Sequence, residues 1–150
     1  MTSTRWLRIS AVISFLFATG HTLGGRKLWS PMGDNTVLDA MRSTYFPIMG
    51  VERSYLDFYV GFGYSISALQ LMQAVLLWQL AALAASNPSA ARPMIAVIAV
   101  ATALVGLISY RLIFPLPAIF SAVLFIGLAV SYALTHRGNA IPVAQNLRCG

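Results

Sequence analysis

Four long apolar runs, nearly free of charge, decide what this chain can fold into. They cover residues 6–23, 54–85, 94–113 and 118–134. At ~1.5 Å per residue, a helix of about 20 residues crosses the ~30 Å hydrocarbon core of a bilayer. The rest of the composition agrees. Only 9% of the residues are charged and 58% are hydrophobic, whereas a soluble domain carries about 25% charged residues to cover its surface. The bilayer is therefore part of the solvent. The expected fold is all-α: a membrane four-helix bundle forming one domain over residues 1–150, with a short amphipathic helix in the first loop.

Composition also removes several functional classes. The net charge of +6 does not make this a nucleic-acid binder, because the basic residues stand singly at the edges of apolar runs and suit anchoring to lipid headgroups. The partner expected first is the lipid bilayer itself. Cys149 is the single cysteine, so an internal disulfide or a thiolate metal site is impossible. His21 and His136 fall at opposite ends of the expected bundle, so no metal and no cofactor is expected. There is no glycine-rich nucleotide fingerprint and no nucleophile elbow. The final Arg-Cys-Gly is not a prenylation signal.

Residues 6–23 read as a retained span. The competing reading is a cleaved signal peptide, with Arg5 and Arg8 as its basic region and Ala18-Thr19-Gly20 as its cleavage site. Three further spans and no soluble domain favour retention. Gly24-Gly25 then breaks the helix, and Trp29 beside Lys27 fits an interfacial anchor. Asp34 or Asn35 is placed to cap an interfacial helix over residues 36–45, with Val37, Leu38, Met41 and Tyr45 on one face. Phe46-Pro47 and Gly50 end it.

The second run exceeds the length needed to span, so it tilts or projects its Arg53–Asp57 end. At 100° per residue, Arg53, Asp57, Tyr64, Ala68 and Leu71 form one stripe, and Tyr55, Tyr59, Gln70 and Gln73 another. Gly61 and Gly63 leave room for close approach. Ala99, Ala101, Ala103 and Gly106 suit tight helix contacts in the third run. Phe114-Pro115-Leu116-Pro117 is a short reversal that makes the last two spans an antiparallel hairpin. Residues 139–150 are expected to be a flexible tail.

Four spans place both termini on one side. That side holds Arg5, Arg8, Arg92, Arg137 and Arg148, and the other holds Arg26, Lys27, Arg42, Arg53 and Arg111, so the positive-inside count is tied. All the acids, Asp34, Asp39, Glu52 and Asp57, lie opposite the termini. This tilts the reading toward cytoplasmic termini in the inner (plasma) membrane. It also makes one mouth of the bundle chemically distinct, and the candidate site lies there. Asp57 and His21 are the candidate catalytic residues: Asp57 accepts or donates the proton, tuned by Arg53 and by His21, whose imidazole could relay it. Arg53, Tyr55, Tyr59, Tyr64 and Arg111 are the candidate ligand-binding groups. The expected ligand is a lipid-like or isoprenoid amphiphile. The plainer readings are an Arg53–Asp57 ion pair fixing the helix start, a helix-end hydrogen bond for His21, and flank anchoring by Arg111. Two other functions fit the same residues. One is a non-catalytic helper or subunit that binds a quinone, a lipid or a membrane protein. The other is an oligomeric transporter or channel, which would need copies to assemble.

The strings Gly20-His21-Thr22-Leu23-Gly24 and Arg53-Ser54-Tyr55-Leu56-Asp57-Phe58-Tyr59-Val60-Gly61-Phe62-Gly63, with Met49-Gly50 between them, resemble a family of small bacterial four-span integral membrane proteins. The resemblance runs from about residue 7 to 134. It implies the four-span plan and carries no activity. In span count and length the chain is also similar to DoxX-like membrane proteins.

Overall fold

The computed structural model describes residues 2–30 and 32–138; the expected tail lies outside them. The elements in order are α1 (Ser3–Gly25), α2 (Thr36–Ser43), β1 (Tyr45–Ile48), β2 (Val51–Ser54), α3 (Tyr55–Ser86), α4 (Pro88–Leu112) and α5 (Pro115–Gly138). The fold is all-α apart from one small hairpin. Four helices, α1, α3, α4 and α5, are long and apolar enough to cross a membrane.

The third span starts earlier than its hydropathy indicates. The Asn87 side chain accepts a hydrogen bond from the Ala90 amide, and Pro88 opens the helix, where its fixed φ and missing N–H cost nothing. Pro93 thus lies inside α4.

The chain forms two compact units. One comprises residues 2–14 and 73–138. In it the first part of α1, the second part of α3, α4 and α5 pack around Leu7, Ala11, Leu77, Leu80, Ala81, Ala84, Ala91, Ile95, Ala99 and Leu128. The interior is made largely of small residues. The buried face of α4 is Ala91, Ile95, Ala99, Thr102 and Ser109, a stripe at helical spacing. A Cβ on Gly106 would press on Ser121, and one on Gly127 would overlap the Ser10 hydroxyl. Such seams let backbones approach, and packing between them holds helices together where no hydrophobic effect operates. Larger apolar side chains such as Val97, Leu104 and Ile126 point outward. Of the four small residues expected at α4 contacts, Ala99 and Gly106 lie on this seam. Ala101 and Ala103 are exposed, because they fall between the turns of the stripe.

Hydroxyls and amides stitch the unit further. Gln73 Nε2 donates to Thr102 Oγ1 at 3.4 Å, and Ser3 Oγ donates to the Ser131 carbonyl at 3.1 Å. Arg8 lies 5.4 Å from the Trp78 ring and Arg92 4.5 Å from the Tyr132 ring, which places both cations over aromatic faces.

The other unit comprises residues 15–72. It holds the end of α1, α2, the β1–β2 hairpin and the start of α3. Asn35, one of the two expected caps, is the one used: its Oδ1 accepts from the amides of Val37 and Leu38 at 3.0 and 3.2 Å. Leu38 is the buried residue of α2, whereas Val37 is exposed.

The interfacial helix stops at Ser43, two residues short of the expected end, and Tyr45 begins a strand. Pro47 is the reason. It disfavours helical geometry at Phe46 and leaves that residue extended. The strands pair antiparallel, Tyr45 with Ser54 through Ile48 with Val51. The connecting residues, Met49 and Gly50, have φ of 50° and 85°. Positive φ at both positions is the two-residue turn whose twist matches a hairpin.

Candidate functional site

α3 starts on a reciprocal cap. The Ser54 amide donates to Asp57 Oδ2 at 2.8 Å, and the Asp57 amide donates to Ser54 Oγ at 3.1 Å. Two helix-end N–H groups that lack intrahelical partners are satisfied together. This corrects the expected contact ion pair. Arg53 turns its Nη1 to the Glu52 carbonyl at 2.8 Å. Among the described residues the ion pairs join Arg42 to Asp34 at 3.9 Å and to Asp39 at 3.2 Å. Arg53 precedes the helix, on β2, so the i,i+4 geometry that would bring it onto Asp57 applies only if both were helical.

Arg53 and Asp57 nevertheless share a surface. With Phe58, Gly61, Phe62 and Ser65 they line an open groove of about 300 Å³ along the first turns of α3. Residues 57, 61 and 65 recur every fourth position, so they form one face of the helix. Gly61 is the floor: a Cβ there meets nothing within 4 Å. Phe58 and Phe62 meet edge to face, with ring centroids 6.1 Å apart. Phe58 also meets Phe46 of β1 at 5.2 Å. Ser65 Oγ donates to the Gly61 carbonyl at 2.8 Å, which leaves its lone pairs to the groove. One end of the groove is therefore doubly charged and the remainder largely apolar.

His21, Tyr59 and Tyr64 gather elsewhere, around Trp29. The chain reverses after α1 through bonds from the Trp29 amide to the Gly24 carbonyl and from the Leu28 amide to the Gly25 carbonyl, at 3.1 and 3.0 Å. This is the Schellman pattern. Leu28 and Trp29 take φ of 51° and 49°, a left-handed conformation that bulky residues adopt rarely. The reversal lays the indole against the helix it has just left. A Cβ on Gly24, Gly25 or Gly63 would run into the Trp29 ring. Trp29 Nε1 donates to the His21 carbonyl at 2.8 Å, and Tyr59 Oη donates to the Trp29 carbonyl at 3.3 Å. The His21 and Tyr64 rings lie 5.3 and 5.1 Å from that of Trp29. His21 Nδ1 is 3.0 Å from Ser67 Oγ, and the Ser67 hydroxyl reaches the Gly63 carbonyl at 3.4 Å. Every polar atom named here has a partner, and the cluster serves to hold α1 against α3.

The seven candidate residues thus fall into four places. Arg53 and Asp57 line the groove, and His21, Tyr59 and Tyr64 surround Trp29. Tyr55 packs on Phe46, with centroids 4.9 Å apart. Arg111 is exposed in the last turn of α4, in the other compact unit. In the sequence Gly61 reads only as a point of close approach, and Phe58, Phe62 and Ser65 are not singled out, although the four-residue steps 57–61–65 and 58–62 point at them. Among the described residues no group of three or more His, Cys, Asp or Glu is placed to hold a metal ion.

No protein-family model matches the chain, and no curated protein or solved structure matches it either.

Proposed function

We propose that this is an integral membrane protein that holds a lipid-like amphiphile in the groove on α3. The observation that carries the reading is the groove's polarity: a guanidinium and a carboxylate at one end, and two phenylalanines flanking a bare glycine floor. Depth fits as well. α3 has 32 residues, about 48 Å of helix, against a hydrocarbon core of ~30 Å. We assign the surplus to the first turns, which carry Asp57, and on that assignment the groove runs from the headgroup layer into the upper acyl region.

The reading is one of binding rather than turnover. One oxygen of Asp57 is engaged in the helix cap, and His21 is engaged with Ser67, so neither is disposed toward the other as an acid–base pair. We place the protein in a bacterial inner membrane with cytoplasmic termini, a reading that rests on the acid asymmetry and on the family resemblance of the Arg53–Gly63 string.

Gly61→Leu tests the proposal. A Cβ at Gly61 meets nothing within 4 Å and leucine is a good helix former, so the variant should project its side chain into the groove and keep the helix, which circular dichroism checks. Native mass spectrometry after gentle detergent extraction should show retained lipid falling several-fold. Unchanged retention in a folded Gly61→Leu variant would remove the groove as a binding site.

A further inference from the structure

We infer that the amphiphile's headgroup is zwitterionic and carries a primary ammonium, that is, a phosphoethanolamine-type lipid. The inference rests on the groove reading above and adds the headgroup chemistry to it.

The argument starts from which atoms are already engaged. The Arg53 guanidinium donates through Nη1 to the Glu52 carbonyl, and its other N–H groups have no partner among the described residues. A guanidinium in this state presents paired donors that match a phosphate. Asp57 gives Oδ2 to the Ser54 amide, while Oδ1 accepts no hydrogen bond among the described residues. A carboxylate oxygen accepts and never donates, so its natural partner is a donor, and a cationic donor is bound more strongly than a neutral one. Both groups line the same charged end of the groove. A ligand that satisfies both carries an anion and a hydrogen-bonding cation a few bonds apart, with an apolar chain leaving along Phe58, Gly61 and Phe62.

Charge complementarity separates this headgroup from the other common ones. A purely anionic phosphatidylglycerol headgroup meets Arg53 favourably but brings its charge beside Asp57. A choline headgroup has the right charges but no N–H for Asp57 Oδ1. The alternative way to hold a quaternary ammonium is a cage of aromatic faces, and only Phe58 and Phe62 line this groove. From Asp57 to Ser65 the helical part of the lining extends over about 12 Å. That exceeds a headgroup, so the occupant is a whole lipid with its first methylenes lying on the phenylalanines.

The experiment is lipid competition. The full chain is placed in mixed micelles with equal amounts of phosphatidylethanolamine, phosphatidylcholine and phosphatidylglycerol of matched chains, and retained lipids are counted by native mass spectrometry. The wild type should keep phosphatidylethanolamine in several-fold excess over both others. Asp57→Asn retains an oxygen to accept the Ser54 amide, so α3 should still start correctly, which circular dichroism checks. It should abolish the preference for phosphatidylethanolamine over phosphatidylcholine. Arg53→Gln should lower retention of all the phospholipids. Glycerophosphoethanolamine, which has no chains, should not displace the lipid. Equal retention of the three lipids, or a preference that survives Asp57→Asn, overturns the headgroup assignment. If retention still falls in Gly61→Leu, the groove remains an amphiphile site. If it does not, the groove reading fails as well.

Discussion

Trp29 shows how one side chain explains several glycines. In the sequence Gly24-Gly25 reads as a helix break, because glycine marks places where the chain needs unusual dihedrals. The structure uses these residues for a different property, the absence of a Cβ. Left-handed φ falls instead on Leu28 and Trp29, and the glycines leave the space that the indole fills. Sequence alone cannot tell glycine for freedom from glycine for room. Asp57 carries a similar ambiguity. Its four-residue spacing from Arg53 suggested an ion pair, while Ser54-x-x-Asp57 is equally the pattern of a capping box, and the second is realised. The glycine argument makes a paired prediction. Gly63→Ala puts a methyl into the Trp29 ring and should cost about 1–3 kcal/mol, as overpacking does. Gly20→Ala meets nothing within 4 Å and should be neutral, or stabilising by up to about 1 kcal/mol. Thermal unfolding in detergent compares the two. With Trp6 and Trp78 replaced by phenylalanine, the emission of Trp29 should shift to longer wavelength in Gly63→Ala alone. Equal behaviour of the two variants would contradict the packing of the ring on Gly63.

The spans were legible because hydropathy averaged over some twenty residues survives local irregularity, and all four were found with their ends displaced by a few residues. The hairpin was not legible. Its strands have four residues each, the lower limit at which alternation can be recognised, and Val51-Glu52-Arg53-Ser54 has no apolar face. Pro47 gave warning that the helix could not continue, but not that a strand followed. The hairpin matters because it delivers Ser54 to the start of α3 in register opposite Tyr45, and the helix then begins on the cap. Ser54 is buried, so no water replaces its hydroxyl. Ser54→Ala should therefore cost about 1 kcal/mol, typical for losing an N-cap. Hydrogen exchange should accelerate at the amides of residues 55–58 and remain unchanged near residue 80. Uniform loss of protection along α3 would mean that the helix start is held by packing instead of by the cap.

A chain that buries Ala, Ser and Thr beside a few Leu and Ile, and turns many large apolar side chains outward, departs from the pattern used to find a core. Leu, Val and Ile on a span are as much at home against acyl chains as inside, so hydropathy locates the helices but not their facing sides. That is why the sequence groups Ala101 and Ala103 with Ala99, although of the three only Ala99 is buried. The pattern suits an α4 whose outward face meets lipid along its length, and this sets what its two ends must do. Ser86, just before α4, and Leu112, its last residue, are both exposed. The 25 residues of α4 extend over about 37 Å, more than the ~30 Å core, so these two positions belong to opposite aqueous faces. Replacing Cys149, the single cysteine, with serine gives a clean background for Ser86→Cys and Leu112→Cys. In intact spheroplasts a membrane-impermeant maleimide should label Leu112→Cys at once. Ser86→Cys should react only after permeabilisation, because its turn shares the side assigned to the termini. The reverse order would turn the protein over and move the groove's charged end to the cytoplasmic leaflet, leaving the helices unchanged. Labelling of both sites from one side would mean that α4 enters and leaves the same face, and a helix of this length and composition would then have no bilayer to account for its outward leucines and valines.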